Sequence, residues 1–125
     1  MAKPRPLSPH LQVYRPQLTT IMSIGHRASG IVLATGTLVL AAWLIALALG
    51  PEAFATVSMI IAHPLGQFVL FGYSFLLFYH ASNGVRHLGW DIGRGLAIPS
   101  LYRNGYIVLA VTALFTALLW LFVWS

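Results

Sequence analysis

Apolar residues run in three long stretches along the chain, and short polar or proline-containing segments separate them. The first stretch closes at Gly50-Pro51, the second follows His63-Pro64, and the third runs almost to the C-terminus. A helix needs about 20 mainly apolar residues to cross the hydrocarbon core of a bilayer. The pattern therefore predicts three transmembrane helices, at about residues 22–49, 65–90 and 105–124.

The N-terminal part of the chain has a different character, because it contains four prolines within its first sixteen residues. Proline lacks a backbone N–H and fixes φ, so such a segment favours an extended conformation. We expect residues 1–21 to be an extended cytoplasmic segment and residues 22–125 to form the transmembrane anchor domain. The prolines fit neither a secretory signal nor an amphipathic transit helix. This favours a multi-pass protein of a bacterial inner membrane over a mitochondrial one.

Composition agrees with an all-α integral membrane protein. Hydrophobic residues make up 58% of the 125 residues and charged residues 7%, whereas soluble domains carry about 25% charged residues. The seven basic residues are too few and too scattered for a nucleic-acid interface. The absence of cysteine excludes iron–sulfur ligation, thioether-attached haem and disulfides in this chain.

Basic residues indicate how the spans are oriented. The segment between the first two apolar stretches contains Glu52 and no Lys or Arg. Loops on the cytoplasmic side carry the excess of basic residues. This predicts an N-terminus inside and a C-terminus outside, with all seven basic residues on the inner side: Lys3, Arg5, Arg15, Arg27, Arg86, Arg94 and Arg103.

Two groups of polar residues lie at the cytoplasmic ends of the first two predicted spans. Four residues near the start of the first helix share one face, at i, i+3, i+4 and i+7: Ser23, His26, Arg27 and Gly30. A second stripe lies at the exit of the second helix, at i, i+4, i+7 and i+11: His80, Gly84, His87 and Asp91. Ionisable residues within spans are costly and mark function by default.

A b-type haem fits this arrangement. It requires an imidazole on its iron at depth, a small residue beside its ring, and cations at its two propionates. His80 is the candidate axial ligand, and Gly84 is the small residue that leaves room for the haem ring. His87 and either Arg86 or Arg27 are expected at the level of the propionates. No other histidine is expected at the depth of His80, so the second ligand is expected from another chain.

Simpler interpretations exist for each of these residues. A lone histidine within a span is often only a hydrogen-bond partner between helices, and a glycine such as Gly84 often serves close helix packing. Ser23 is also suited to a backbone hydrogen bond or a helix N-cap. Arg86 and His87 also fit ordinary interfacial anchors, and His63 a simple loop position.

Three segments of the sequence resemble one family. These are Arg5-Pro-Leu-Ser-Pro-His-Leu-Gln-Val-Tyr14, Ser23-Ile-Gly-His26-Arg27-Ala-Ser29, and His80-x-x-x-Gly84-x-Arg86-His87-Leu-x-x-Asp91. The chain resembles the larger cytochrome b-type membrane-anchor subunits of succinate dehydrogenase, respiratory complex II, over essentially its whole length.

The resemblance implies specific roles. His80 would be the haem b axial ligand, and the second ligand would come from the smaller anchor subunit. Ser23 and Arg27 would belong to the ubiquinone pocket, and His26, Arg27 and His87 would lie near the haem propionates. The implied partner chains are that smaller anchor subunit, an iron–sulfur subunit, and a flavoprotein carrying covalent FAD, with membrane lipid around the spans.

The side chains suit quinone chemistry. Negative charge develops on the quinone oxygens during reduction, and a hydroxyl such as Ser23 and a cation such as Arg27 would stabilise it. Two alternatives stay open: the anchor of a quinol-oxidising fumarate reductase, and a structural membrane anchor without haem.

Overall fold

The computed structural model describes residues 15–125. Within this range the chain is helical and contains no strand, in agreement with the predicted all-α class. The segment of residues 5–14, which carries the first of the three family-like motifs, lies outside the described residues. Four helices follow one another in the described part of the chain: α1 (Leu18–Leu49), α2 (Pro51–Ala62), α3 (Pro64–Asp91) and α4 (Ile98–Val123).

The helix boundaries correct three expectations. Residues 50–63, predicted as a loop, form the twelve-residue helix α2 between its flanking residues. Helix α1 begins at Leu18, so residues 18–21 are helical and not extended. Helix α4 begins at Ile98, ahead of the predicted start at residue 105. For α2 and α4 the reason is a proline in the first turn, where the missing N–H has no helical partner to lose, and Pro64 occupies the same place in α3.

Two helices, α1 and α4, are each long and apolar enough to cross a membrane. Helices α2 and α3 meet this criterion together, but they are bent by 79° at the break between them. The described residues thus contain two candidate spans, or three if the bent pair counts as one. At 1.5 Å per residue, the 32 residues of α1 extend about 48 Å, more than the hydrocarbon core of about 30 Å.

A glycine and a histidine form the bend between α2 and α3. A Cβ on Gly66 would overlap the backbone carbonyl oxygens of Ile60 and Ile61, so only glycine allows the two helices to approach in this way. His63 is the N-cap of α3, and its Nδ1 accepts a hydrogen bond from the backbone N–H of Leu65 at 3.2 Å. His63 therefore has a definite structural role, where the sequence predicted only a loop.

Helices α1 and α3 pack closely because α1 presents glycines to rings on α3. An added Cβ would lie 2.8–3.0 Å from the nearest atom of the facing side chain at each of three positions, which are Gly25 facing Tyr79, Gly30 facing His80, and Gly36 facing Tyr73. Small residues are the usual means by which helices approach in membranes, where packing and hydrogen bonds drive association. This close contact brings the two predicted polar stripes together.

Helix α4 completes the core at one end of the bundle. Met22, Tyr79 and Val108 form a small buried cluster, and Leu18 packs against it. Most of the large apolar side chains point outward and are exposed, for example Ile31 at 72% and Phe68 at 73%. Exposed apolar surface on this scale needs lipid or other chains to cover it.

Candidate functional site

Three histidines from α1 and α3 form one cluster. The rings of His26 and His80 stack with their centroids 4.0 Å apart and an interplanar angle of 17°. The ring of His87 meets His26 edge-on at 4.9 Å. All three side chains are half-buried. The structure therefore joins the two predicted polar stripes through His26 on α1 and through His80 and His87 on α3.

Two acceptors fix the orientation of the His80 imidazole. Its Nδ1 atom lies 3.1 Å from the backbone carbonyl oxygen of His26 and 3.0 Å from the Oγ atom of Ser29. The Ser29 hydroxyl donates its own hydrogen to the same carbonyl at 2.8 Å. Because a carbonyl oxygen only accepts hydrogen bonds, the proton of the neutral His80 ring is assigned to Nδ1. The Nε2 atom then carries the free electron pair, and it makes no hydrogen bond with the described residues.

Sequence reasoning missed the role of Ser29, although the residue lies inside the second motif. Ser29 is only 1% exposed and contacts the candidate ligand directly. Its position three residues after His26 and beside Gly30 was the available signal. Gly30 contributes by its lack of a side chain, since a Cβ there would lie 3.0 Å from Cε1 of His80. Ser29 thus contacts the His80 imidazole, and Gly30 leaves space for it.

His26 lies deeper than the sequence predicted. Its stacking on His80 contradicts the expectation that no other histidine lies at the depth of His80. The stack nevertheless excludes His26 as the opposite ligand of the same metal. With metal–nitrogen bonds of about 2 Å, trans imidazoles have centroids roughly 6 Å apart across the metal. The observed 4.0 Å face-to-face stack does not allow that geometry.

His26 also carries a polar atom without a partner. Its Nδ1 atom is buried and makes no hydrogen bond with the described residues. Gly84 faces the same ring, and a Cβ there would lie 3.8 Å from Cε1 of His26. The structure therefore places Gly84 beside the cluster, as the sequence predicted, with His26 as its neighbour.

Ser23 and Arg27 lie on α1 one turn or less from His26. Ser23 is half-buried and Arg27 is exposed. Among the described residues, neither side chain has a hydrogen-bond partner or an ion-pair partner. A hydroxyl and a guanidinium thus remain uncommitted next to the histidine cluster.

Arg86 adjoins the cluster through Trp90 but is directed toward α4. Its guanidinium carbon lies 4.3 Å from the centroid of the Trp90 ring, which in turn contacts the His87 ring at 4.7 Å. The two Nη groups donate to Oδ1 of Asn83 at 3.3 Å and to the carbonyl oxygen of Leu101 at 3.2 Å. The structure therefore does not bring the hydrogen-bonding groups of Arg86 together with the histidines.

A buried hydrogen-bond network that the sequence did not predict lies next to the site and links α1, α3 and α4. The carbonyl oxygen of Met22, the residue before Ser23, accepts from the Tyr79 hydroxyl at 2.9 Å and from Nδ2 of Asn83 at 3.2 Å. Asn83 is fully buried and links onward to Arg86. The network holds the start of α1, α3 and the start of α4 in one fixed arrangement.

With this geometry established, the comparisons with known proteins decide the family. Residues 1–119 match the family described as the succinate dehydrogenase/fumarate reductase transmembrane subunit. The chain belongs to this family. The match confirms the resemblance drawn from the three motifs.

Individual relatives agree with this assignment. A succinate dehydrogenase cytochrome b556 subunit of Paracoccus denitrificans is 41% identical over 88% of this chain and 89% of its own length. The b556 subunit of Rickettsia bellii is 40% identical over 93% of this chain and 90% of its own length. The mitochondrial b560 subunit of Sus scrofa is 42% identical over 88% of this chain, which spans 66% of that relative. The chain thus spans about two thirds of the length of the mitochondrial relatives.

Proposed function

We propose that the chain is the cytochrome b membrane-anchor subunit of a succinate:ubiquinone oxidoreductase, with His80 as an axial ligand of haem b. The observation that carries this proposal is the fixed His80 imidazole, whose Nδ1 contacts Ser29 and the His26 carbonyl while Nε2 is free. Metal-bound histidines usually donate their second ring N–H to such an acceptor. The bacterial relatives are named cytochrome b556 subunits, which supports haem as the group bound.

The residues present fit a haem shared between two chains. A bound haem would supply a one-electron carrier within the membrane. The stacking of His26 on His80 supports a second ligand from the smaller anchor subunit and not from this chain. The unpartnered Nδ1 atom of His26 suits an acceptor such as a propionate. We assign His26, Arg27 and His87 to the propionates and Gly84 to the edge of the ring.

The role predicted for Arg86 at the propionates stays a prediction. Its inward hydrogen bonds to Asn83 and Leu101 favour a structural role between α3 and α4. Arg27 is exposed and makes no ion pair with the described residues, so it is the better cation for this purpose.

Ser23 and Arg27 are proposed to bind ubiquinone where it is reduced. Quinone reduction takes up two electrons and two protons, and negative charge develops on the carbonyl oxygens. The Ser23 hydroxyl would donate a hydrogen bond to one oxygen, and the Arg27 guanidinium would offset its charge. Removing one such donor costs about 10²–10³ in rate in well-studied oxyanion sites.

The partners follow from this assignment. An iron–sulfur subunit would deliver electrons to the quinone, and a flavoprotein with covalent FAD would oxidise succinate. The exposed apolar faces of α1, α3 and α4 support a location in a bacterial inner membrane beside the smaller anchor subunit. In this arrangement the N-terminus lies on the inner side and the C-terminus on the outer side.

His80→Ala tests the ligand assignment. We expect the purified complex of this variant to lose the succinate-reducible haem absorption, because the variant removes the imidazole that is proposed to hold the iron. His63→Ala is a matched control, since that histidine is exposed at the start of α3 and caps the helix. A His80→Ala complex with an unchanged bis-imidazole haem spectrum would contradict the assignment.

Ser23→Ala and Arg27→Gln test the quinone site. We expect quinone reduction to fall by up to 10²–10³ while succinate oxidation by a soluble dye continues, because only the anchor site is altered. Arg103→Gln serves as the control, since it removes an exposed arginine elsewhere in the chain. If both activities fall equally in a fully assembled complex, these residues do not form the quinone site.

A second candidate function is the anchor of a quinol-oxidising fumarate reductase, since the matching family includes fumarate reductase transmembrane subunits. The relatives are named succinate dehydrogenase subunits, which favours succinate oxidation. A purified complex without haem absorption would instead support the structural anchor.

A further inference from the structure

A second polar region lies on the opposite side of α3 from the histidine cluster. There a cavity of about 280 Å³ opens between α3 and α4, beside the loop that joins them. Its lining from α3 includes Ser82 and Arg86, and Arg94 contributes from the loop and Asn104 from α4. Positions 82 and 86 face away from positions 80, 84 and 87 on a helix of 3.6 residues per turn. The cavity therefore lies on a different face of α3 from His80, Gly84 and His87, and Arg86 is the one residue predicted near the haem that also lines it.

Two arginines make the cavity basic. Arg86 is 6% exposed, and its Nε atom is buried without a partner among the described residues. Arg94 is exposed, and its guanidinium has no hydrogen-bond or ion-pair partner among residues 15–125. A buried donor that lacks a partner costs free energy, and Arg86 carries such a donor while it lines a cavity that an accepting group could occupy.

Neutral donors surround the two cations. The side chains of Ser82 and Asn104 line the cavity and make no hydrogen bond with the described part of the chain. The Nε1 atom of Trp90 is also buried without a partner, and it lies 3.9 Å from the position of a Cβ on Gly95. Gly95 adopts a φ of +77°, and a Cβ there would lie 2.8 Å from Nδ2 of Asn104. Glycine at this position keeps the loop close to α4 and leaves the Asn104 amide in place.

The surroundings of the cavity are apolar. Val85 is 69% exposed and Ile107 52% exposed, and both line the same cavity. A ligand at this position thus meets donors and positive charge at one point and hydrocarbon-like surface beside it. The volume of about 280 Å³ lies just below the range of ligand pockets, about 300–1,000 Å³, and suits a headgroup more than a whole lipid.

We propose that this cavity between α3 and α4 binds a phosphate group, with Arg94, Arg86 and Asn104 as its donors. Basic pockets between transmembrane helices bind the headgroups of anionic lipids. Arginine is suited to phosphate because its planar guanidinium forms two parallel hydrogen bonds. The exposed apolar residues favour a phospholipid as the source of the phosphate, and inorganic phosphate is the alternative source of the same chemistry.

Lipid titration of the complex that the chain forms tests this proposal. The complex is purified in a neutral detergent, depleted of lipid, and titrated with phosphatidylglycerol, phosphatidylcholine or inorganic phosphate while native mass spectrometry counts bound molecules. Arg94→Gln and Asn104→Leu alter the cavity at its exposed side. Arg103→Gln is the matched control, because it removes the same charge from an exposed arginine that does not line the cavity.

We expect one phosphatidylglycerol to bind more tightly than phosphatidylcholine. Its affinity should fall about tenfold in Arg94→Gln, as for the loss of a charge-assisted hydrogen bond, and less in Asn104→Leu. Arg103→Gln should keep the wild-type affinity. Inorganic phosphate is the second possible source of the group. If it binds, and if Arg94→Gln weakens its binding as much as that of phosphatidylglycerol, the result would support the site and identify the free anion as the source. Equal loss in Arg94→Gln and Arg103→Gln, equal binding of the two lipids, or no binding in any titration would overturn the proposal.

Discussion

Ser29→Ala tests most directly how the chain controls the proposed haem ligand. The substitution removes one oxygen atom, which contacts Nδ1 of His80 at 3.0 Å and donates to the His26 carbonyl at 2.8 Å. The His26 carbonyl remains 3.1 Å from the same Nδ1, so the imidazole keeps one of its two acceptors. We therefore expect haem binding to weaken and not to disappear.

The expected loss of haem affinity follows from the hydrogen bond that is removed and the carbonyl acceptor that remains. A net hydrogen bond is worth about 0.5–1.5 kcal/mol, and residues that support a metal ligand typically contribute 10–100-fold to metal affinity. Because the carbonyl acceptor persists, the lower end applies, and we expect a loss of about tenfold in haem affinity. Ser29 is 1% exposed, so water does not readily replace the missing hydroxyl.

The assay measures haem retention in the purified complex during dilution, together with the reduction potential of the bound haem. Thr112→Val is a matched control, because Thr112 is fully buried and its hydroxyl likewise donates to a carbonyl of its own helix, at 2.7 Å. This control removes the same type of hydrogen bond from α4 and should leave haem retention unchanged. It also shows how much a general loss of stability contributes.

Two results would refute this reasoning. Haem retention and potential identical to wild type in Ser29→Ala would mean that the hydroxyl does not tune the ligand. Complete loss of haem, as in His80→Ala, would mean that the carbonyl is not a sufficient second acceptor. Loss of the same size in Thr112→Val would assign the effect to folding.

Three further predictions concern packing. Gly30→Val should displace the His80 ring, because even its Cβ would lie 3.0 Å from Cε1, and haem absorption should fall; Gly72→Val, with open space around it, should retain the spectrum. Asn83→Leu should lower the free energy of unfolding by about 1–3 kcal/mol, measured by thermal denaturation in detergent, because it leaves a buried network unsatisfied; an unchanged midpoint would contradict this. Gly66→Ala should lower the same midpoint more than Gly72→Ala, since its Cβ would overlap backbone carbonyls at the bend; equal midpoints would disprove that role.

The helical class was predictable because apolar stretches of spanning length leave few other solutions. The helix boundaries were less predictable, because prolines occur at helix starts as well as in loops. Pro51, Pro64 and Pro99 interrupt the apolar pattern, but each lies in the first turn of a helix. Proline both ends one helix and begins another, so its presence alone does not distinguish a loop from a helix start. Helix α2 was missed for this reason.

The candidate site shows a similar division. Helical periodicity alone placed His80, Gly84 and His87 on one face and Ser23, His26 and Arg27 on another, because the repeat of 3.6 residues is a property of the backbone. The same periodicity on α3 separates Arg86 from the histidines, although the sequence grouped them by function.

Taken by itself, the sequence determined the membrane class, the long apolar helices, the two polar stripes and the family, because these depend on composition, local periodicity and motif spacing. Only the tertiary structure decided which stripe residues meet. The depth of His26 depends on how far α1 slides along α3, and that register is set by glycines facing rings and by the buried Asn83. The acceptors of His80 come from α1, 51 and 54 residues away, so no local pattern around His80 predicts them. Contacts between helices set the proton position and the free electron pair on which the proposed function depends.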